Sequence, residues 1–271
     1  AHSNKKNLTF FSGGVDSTFS SYKAFKANGK NSDCLTIQGL DYSPGSSGGK
    51  KFEKLKKMTE SFRDLVFDRS RFIRTNLYNV YNKASYGGCN PRGRHVTHIF
   101  ALFSCACVFN EYSNYHISAD HRLDQQYITH PWGSNNATNR LMKNGNGVLK
   151  TLDDDYLRVE KIKFLSDSDL ELSSLSICRH RRFRPNNCGV CKWCIRAKMM
   201  FYASNETIPD IFADREINDN WHKHIPFKSN NDRMHCSDLL SFVRSRGLEK
   251  TFPGFAEAEA KLTNYLEKPQ S

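Results

Sequence analysis

The first residues whose types and spacing could support a chemical function lie in a glycine-containing turn near the start of the chain. Residues 12–18 read SGGVDST and follow the apolar run 8–11, a pattern that predicts a strand, a tight turn and a helix N-terminus. Glycine lets the backbone approach a ligand closely, and the free amides of a helix N-terminus favour an anion there. Hydroxyl groups can donate to phosphate oxygens, and a carboxylate can hold Mg²⁺ against them. The predicted phosphate-binding residues are Ser12, Gly13, Gly14, Asp16, Ser17 and Thr18.

Four of the nine cysteines form the second chemical motif. Cys178 is followed after nine residues by Cys188, and Cys191 and Cys194 then follow with two residues in each gap. Four thiolates are enough for a closed tetrahedral zinc site, and they would serve an iron-sulfur cluster equally well. Zinc is favoured over disulfide bonds because the rest of the chain has the character of a cytosolic protein, where thiols stay reduced. The motif therefore predicts a metal centre with these four ligands.

The turn resembles the SGGxDS pyrophosphate loop of the PP-loop ATP pyrophosphatase superfamily, whose members cleave ATP to AMP and pyrophosphate while they adenylate a substrate. The resemblance implies that the turn cradles the pyrophosphate of ATP together with Mg²⁺, and that Asp16 and Ser17 take part in catalysis. An ordinary βα turn with a capped helix is the alternative interpretation. A Walker loop is excluded at residues 45–51, which read GSSGGKK, because the spacing is wrong and no serine or threonine follows the lysine. We interpret residues 45–51 as a flexible loop.

Together, the turn and the cysteines resemble the 7-cyano-7-deazaguanine synthase branch of this superfamily, over residues 8–203. This resemblance implies an ATP-dependent ligase that adenylates a carboxylate, on a deazaguanine in the synthase itself, and transfers it to ammonia or an amine. It also implies that Cys178, Cys188, Cys191 and Cys194 hold zinc. The sequence departs from that family at residues 130–135, which read HPWGSN. A diverged paralogue acting on another small carboxylate substrate is therefore expected.

Strands and helices alternate along the first part of the chain, as a parallel sheet requires. The predicted fold class is α/β, with a Rossmann-like parallel sheet and helices on both faces; the resemblance implies the architecture of the adenine nucleotide alpha hydrolases. We predict a nucleotide-binding domain at residues 1–175, a zinc-binding segment at 176–203 and a helical C-terminal extension at 204–271. Further strands are predicted at residues 34–40, 71–77 and 114–119, and helices at residues 18–27, 52–67 and 93–109.

Three carboxylates follow predicted strands, at the edge where parallel sheets bind ligands. Asp41 follows the second strand and is a candidate neighbour of adenosine, with a plain turn as the equal alternative. Asp120 and Asp124 follow the fourth strand and are candidate catalytic residues that hold a metal or orient a nucleophile. A helix cap is the rival role for Asp120.

The polar segment 127–136 has too many turn residues for a core element and looks like a substrate loop. Trp132 can stack on a planar group, and His130 and Ser134 can hydrogen-bond to it. These three residues are the predicted substrate contacts.

The chain carries 40 lysines and arginines against 28 acidic residues, a net charge of +12. Such a charge favours polyanions, so ATP is an expected ligand and a nucleic acid or protein partner of the basic surface stays open. Residues 179–184, which read RHRRFR, form the densest basic run. No apolar run approaches the length of a bilayer span and no signal peptide opens the chain, so we expect a cytoplasmic protein with no membrane partner. A homodimer stays open as its oligomeric state.

Three other functions remain open from the sequence. An RNA sulfurtransferase of the PP-loop superfamily would use the cysteines for an iron-sulfur cluster and the basic surface for RNA. A non-catalytic module would bind a nucleotide and hold a partner. An amide ligase or amidohydrolase would act on another small metabolite.

Overall fold

The computed structural model describes residues 6–77, 93–126, 134–145, 147–227 and 229–266. The chain divides into two compact units, Ala1–Tyr156 and Leu157–Ser271. The domain boundaries predicted after residues 175 and 203 stay predictions.

The first unit is built on a six-stranded, mostly parallel sheet, which confirms the predicted α/β class. Its strands are β1 Asn7–Phe10, β2 Ser32–Gln38, β3 Ser70–Arg74, β4 Asn114–Ser118, β5 Lys143–Asn144 and β6 Gly147–Leu152. The strand order is β3-β2-β1-β4-β6-β5, and β5 pairs with β6 in the antiparallel direction. Among the described residues of this unit, the α-helices are α1 Val15–Asn28, α2 Ser46–Met58, α3 Glu60–Val66, α4 Gly93–Ala106 and α5 Asn136–Asn139, and a 3₁₀ helix spans Leu123–Gln125.

The strand order reverses beside β1. From β1 the chain moves outward to β2 and β3, and it then returns to the other side of β1 to form β4. Connections that leave two adjacent parallel strands in opposite directions open a crevice at the carboxyl ends of those strands. The turn that follows β1 and the segment that follows β4 therefore border the same crevice.

The prediction of a flexible loop at residues 45–51 is wrong, because α2 begins at Ser46. The apolar face marked by Phe52 and Leu55 extends backward along the helix to Gly48, which is buried. A Cβ at Gly48 would overlap the carbonyl group of Ser43, so this glycine permits close packing rather than flexibility. The single helix predicted at residues 52–67 is in fact two helices, α2 and α3.

Helix α4 lies against the core of the sheet with Ile99 and Phe103, which are 0% and 8% exposed. The apolar spacing of this helix also predicts that Phe100 lies in the core, but Phe100 is 54% exposed. A helix turns about 100° per residue, so a side chain next to a buried one points to a different face. The core itself joins α4 to the sheet through Leu8, Leu35, Tyr115 and Leu149.

His116 in β4 makes the stability of the first unit depend on pH. Burial, with a smaller contribution from the Lys150 charge across the strand pair, lowers the pKa of His116 from 6.5 to about 4. The imidazole of His116 takes up a proton at higher pH in the unfolded chain than in the folded chain, so protonation favours unfolding. The stability that the neutral His116 contributes is therefore complete above pH 6.5 and is lost as the pH falls through 4. We expect unfolding in urea to show a loss of about 2–3 kcal/mol from this group between pH 7 and pH 4.

The variant His116→Gln should lack this part of the pH dependence, whereas the exposed His224→Gln should keep it. Identical pH profiles for wild type and His116→Gln would contradict the assignment.

The second unit is largely helical. Its helices are α6 Arg158–Asp167, α7 Lys192–Asn205, α8 Asn230–Ser245 and α9 Phe255–Leu266, with 3₁₀ helices at Leu172–Ser174 and Trp221–His224. Leu239, Leu240 and Val243 of α8 are buried, as their spacing predicts. In α9 the apolar spacing predicts that Ala256 lies in the core, but Ala256 is exposed and Ala258 is buried. Within the ranges that the structure describes, no helix combines the length and the apolar composition that spanning a bilayer requires.

Candidate nucleotide site and candidate metal centre

The turn between β1 and α1 has the backbone of an anion-binding loop. Gly13 has a φ of 73°, which favours glycine, and Gly14 is the extended residue immediately before α1. The N-cap residue Gly14 has no side chain to cap this helix end, and its amide donates to Ser12 Oγ at 3.3 Å. The turn can therefore present backbone amides to an anion.

Two hydroxyl groups converge in this turn. The Oγ atoms of Ser12 and Ser17 are 3.2 Å apart, and Ser17 Oγ also donates to the carbonyl oxygen of Gly14 at 3.2 Å. Ser12 is exposed, whereas Ser17 is buried. Thr18, predicted as a further phosphate contact, is fully buried, so its hydroxyl group would need a rearrangement to reach a ligand.

The predicted carboxylates differ in their surroundings. Asp16 is half-buried in the first turn of α1, and Asp120 is half-buried two residues after β4. Asp41 is exposed after β2. Asp124 is held by Arg122, whose Nε and Nη2 atoms lie 2.8 and 2.6 Å from its two carboxylate oxygens. This contact lowers the pKa of Asp124 and competes with its predicted catalytic role.

The predicted substrate residues are only partly described. His130 and Trp132 lie outside the described residues. Ser134 is half-buried, and its Oγ accepts a hydrogen bond from Asn139 Nδ2 at 3.3 Å. Asn135 accepts a hydrogen bond from the amide of Thr138 and so caps α5. The described part of the predicted substrate loop is thus a hydrogen-bonded helix start.

A lysine and an aspartate that the sequence did not single out meet near the carboxyl edge of the sheet. Lys23 Nζ donates to Asp153 Oδ1 at 2.5 Å and lies 4.5 Å from the centroid of the Tyr156 ring. Asp153 follows β6 directly. Burial opposes the charge of Lys23, but the hydrogen bond and the charge of Asp153 raise its pKa. No local pattern predicts this pair, because 130 positions separate its members.

The four predicted ligands of the metal centre come together in the second unit. The Sγ atoms of Cys178, Cys188, Cys191 and Cys194 all lie within 4.8 Å of one another. The Sγ atom of Cys178 is 3.5 Å from that of Cys188 and 3.8 Å from that of Cys191, and the Sγ atoms of Cys188 and Cys194 are 3.9 Å apart. These four residues could hold a metal ion.

Asn187 positions the first ligand and was missed in the sequence. Its Oδ1 accepts hydrogen bonds from the amides of Ile177 and Cys178 at 2.7 and 3.0 Å, and its Nδ2 donates to the carbonyl oxygen of Leu175 at 2.8 Å. It is 3% exposed and directly precedes Cys188. Its position beside a ligand was the available signal, because groups that orient metal ligands are themselves hydrogen-bonded.

The thiols of Cys178, Cys191 and Cys194 influence one another's protonation. Hydrogen bonds from the thiols of Cys178 and Cys194 hold the pKa of Cys191 well below its usual range. The contact with Cys191 raises the pKa of Cys178 to about 11, and contacts with Cys178 and Cys191 raise the pKa of Cys194 well above its usual range. One thiolate thus suppresses ionisation of its neighbours, and a cation among the sulfurs lets all four ionise together.

Replacing Gly189 by alanine is expected to weaken the metal centre. Its φ of 79° costs an L side chain about 1–2 kcal/mol, and a Cβ would also overlap the carbonyl group of Asp214. Relieving that overlap requires a shift of the Asp214 segment or of the backbone at Gly189, which directly follows the ligand Cys188. We expect Gly189→Ala to unfold at lower urea concentration than wild type and to lose its metal to a chelator faster.

Gly247→Ala is the matched control. Its φ of 67° imposes similar strain, but nothing lies within 4 Å of the added Cβ. Equal effects of the two variants on metal loss would contradict the role given to Gly189.

Two sites stand out among the described residues, the serine-glycine turn in the first unit and the four cysteines in the second. No protein family model matches the sequence, and no curated protein matches it. The geometry of these two sites is therefore the basis for assigning a function.

Proposed function

We propose that this chain binds ATP in the turn at residues 12–17 and uses it to adenylate a substrate carboxylate, before ammonia or an amine takes the acyl group. The observation that carries the proposal is the position of the turn, which joins β1 to α1 where the strand order reverses. Open parallel sheets bind nucleotides at this place, with phosphates at the helix N-terminus. A Rossmann-like fold and membership of the PP-loop superfamily are parts of the same proposal.

The residues of the turn would bind and orient the triphosphate. The backbone amides at the start of α1 and the hydroxyl group of Ser12 would donate to the oxygens of the departing pyrophosphate. Ser17 would also donate once its hydroxyl group leaves the Gly14 carbonyl oxygen. Asp16, and Asp120 across the crevice, offer carboxylate oxygens that fit Mg²⁺. Bound Mg²⁺ would supply stabilisation of the charge on the leaving group. Adenylation depends more on the orientation of ATP and the carboxylate, and on stabilising the charge of the leaving group, than on a general base.

For the four cysteines we propose a structural zinc ion. A Zn–S bond of about 2.3 Å in a tetrahedron places sulfurs about 3.8 Å apart. Three of the six sulfur pairs lie at 3.5, 3.8 and 3.9 Å, and all six lie within 4.8 Å. In a four-iron cluster each thiolate binds a different iron, which requires wider separation. The spacing supports zinc and gives less support to an iron-sulfur sulfurtransferase.

Turnover tests the proposed activity. The protein would be incubated with ATP, Mg²⁺, ammonium and a panel of carboxylates that includes a carboxylated deazaguanine. We expect AMP and pyrophosphate in equal amounts, and only with an accepted carboxylate. The variant Asp16→Ala should lose this activity, and Asp155→Ala, which changes an exposed aspartate, should retain it.

Two results would contradict the assignment. Release of ADP and phosphate would place the cleavage at the wrong phosphoryl group. Saturable ATP binding without turnover on any carboxylate of the panel would favour a non-catalytic nucleotide-binding module.

A further inference from the structure

A feature outside the proposed ATP site is the arginine loop, defined here as residues 179–184. It reads RHRRFR, and residues 179–183 are all exposed. No acidic residue occurs between Glu171 and Glu206 in the sequence. The loop thus places arginine side chains densely at the surface of the second unit, a pattern common in proteins that bind polyanions.

The basic residues of the helix that follows are buried or half-buried. In α7, Lys192 Nζ lies 3.0 Å from Asp232 Oδ2, and Lys198 Nζ lies 3.2 Å from Asp214 Oδ1. Lys198 is itself buried. These two lysines form ion pairs within the second unit. Residues 179–183 of the arginine loop lie at its surface.

An aromatic side chain stands among the charges of the arginine loop. Phe183 is 42% exposed, and its ring meets the His180 ring at a centroid distance of 5.5 Å and an angle of 63°. Leaving a phenylalanine ring in water forgoes the free energy of burying it. An exposed ring between cationic groups can bind a nucleobase, because bases stack on aromatic side chains while the cations bind the phosphates of the nucleic-acid backbone.

The loop is anchored at both ends. It begins directly after Cys178 and leads to Cys188, and the amide of His180 donates to Cys178 Sγ at 3.3 Å. The amides of Phe183 and Arg184 both donate to the carbonyl oxygen of His180, at 3.1 and 3.2 Å. A loop that is already ordered loses less conformational entropy when it binds a partner.

We propose that the arginine loop binds single-stranded nucleic acid, with its guanidinium groups on phosphates and Phe183 stacked on a base. The exposed ring is what favours this partner over an acidic peptide or an anionic membrane, which would engage the arginines without needing a stacking platform. The proposal is independent of the ATP site, since every residue that carries it lies between the first two cysteines of the metal centre.

Binding of labelled oligonucleotides to the whole chain, followed by fluorescence anisotropy over a range of salt concentrations, tests this. Single-stranded RNA and DNA of about 12 nucleotides match the site sizes of such surfaces. The double variant Arg181→Ala/Arg182→Ala should reduce the slope of log Kobs against log salt by about 1.4, because each lost phosphate contact on a single strand removes about 0.7. Phe183→Ala should weaken binding about 5- to 100-fold with the slope unchanged.

The matched control is Lys54→Ala/Lys57→Ala, which removes the same charge from exposed positions of α2. It should leave the salt slope as in wild type. Metal content and circular dichroism of each variant establish that the fold is retained. Binding to RNA, to DNA or to both supports the proposal.

Three outcomes would overturn it. One is the absence of saturable binding to either strand, and another is an equal loss of affinity in the lysine control. The third is a preference for polyglutamate or for vesicles of anionic phospholipid that Phe183→Ala leaves unchanged.

Discussion

Replacing Cys194 by serine is expected to empty the four-cysteine centre and to destabilise the unit Leu157–Ser271 by several kcal/mol. Cys194 is fully buried in the first turn of α7, and its Sγ lies 3.9 Å from that of Cys188. A metal at this position ties α7 to the preceding loop, so its binding free energy is also folding free energy, which for structural zinc sites is on the order of 10 kcal/mol. Elemental analysis and urea unfolding of wild type and Cys194→Ser measure both effects.

The variant Cys236→Ser controls for loss of a buried thiol. Cys236 is 1% exposed in α8 and is not a member of the cluster. It should keep the metal content of wild type even if its stability falls. A Cys194→Ser protein with one metal ion per chain would contradict the assignment of the centre, as would equal metal loss in both variants.

Replacing Asp16 by alanine is expected to weaken the binding of MgATP at least about tenfold, which is 1.4 kcal/mol. The same change should not weaken binding of ATP in the presence of a chelator, because it removes a negative charge beside the phosphates. Asp16 is half-buried in the first turn of α1, next to the serine-glycine turn. Isothermal titration calorimetry with and without Mg²⁺ measures the two affinities.

Asp64→Ala, which changes an exposed aspartate of α3, should leave both affinities unchanged. If Asp16→Ala weakens binding equally with and without Mg²⁺, the carboxylate does not act through the metal.

The parts of the account that depend on neighbouring residues were predictable from the sequence. The strand, turn and helix at residues 7–28 form because apolar residues, two glycines and hydroxyl residues follow one another directly. The cysteine cluster was predictable for a similar reason, since three of its ligands lie within seven residues. Local spacing is sufficient to bring such groups together.

Contacts between distant segments were not predictable. Two examples are the hydrogen bond between Lys23 and Asp153 and the close approach of Gly189 to the carbonyl group of Asp214. Both depend on how segments that are distant in the sequence pack together. Strand β6 was missed because Lys150 and Thr151 interrupt a short apolar run, and it forms because β4 offers a parallel partner. Tertiary context of this kind overrides weak local preference.

The position of Phe100 shows the same limit on a smaller scale. Its helix was predicted from apolar spacing, and the helix exists, but the pattern did not reveal which apolar residues face the sheet. A helix that is apolar on more than one face leaves that choice to its neighbours.

The most direct test of the central claim is a crystal structure of the protein with ATP and Mg²⁺. We expect the β- and γ-phosphates to lie within hydrogen-bond distance of the backbone amides at residues 13–17 and of the hydroxyl groups of Ser12 and Ser17, with the metal ion bound to Asp16. A nucleotide bound elsewhere on the chain, or a turn closed by its own side chains at saturating ATP, would contradict it.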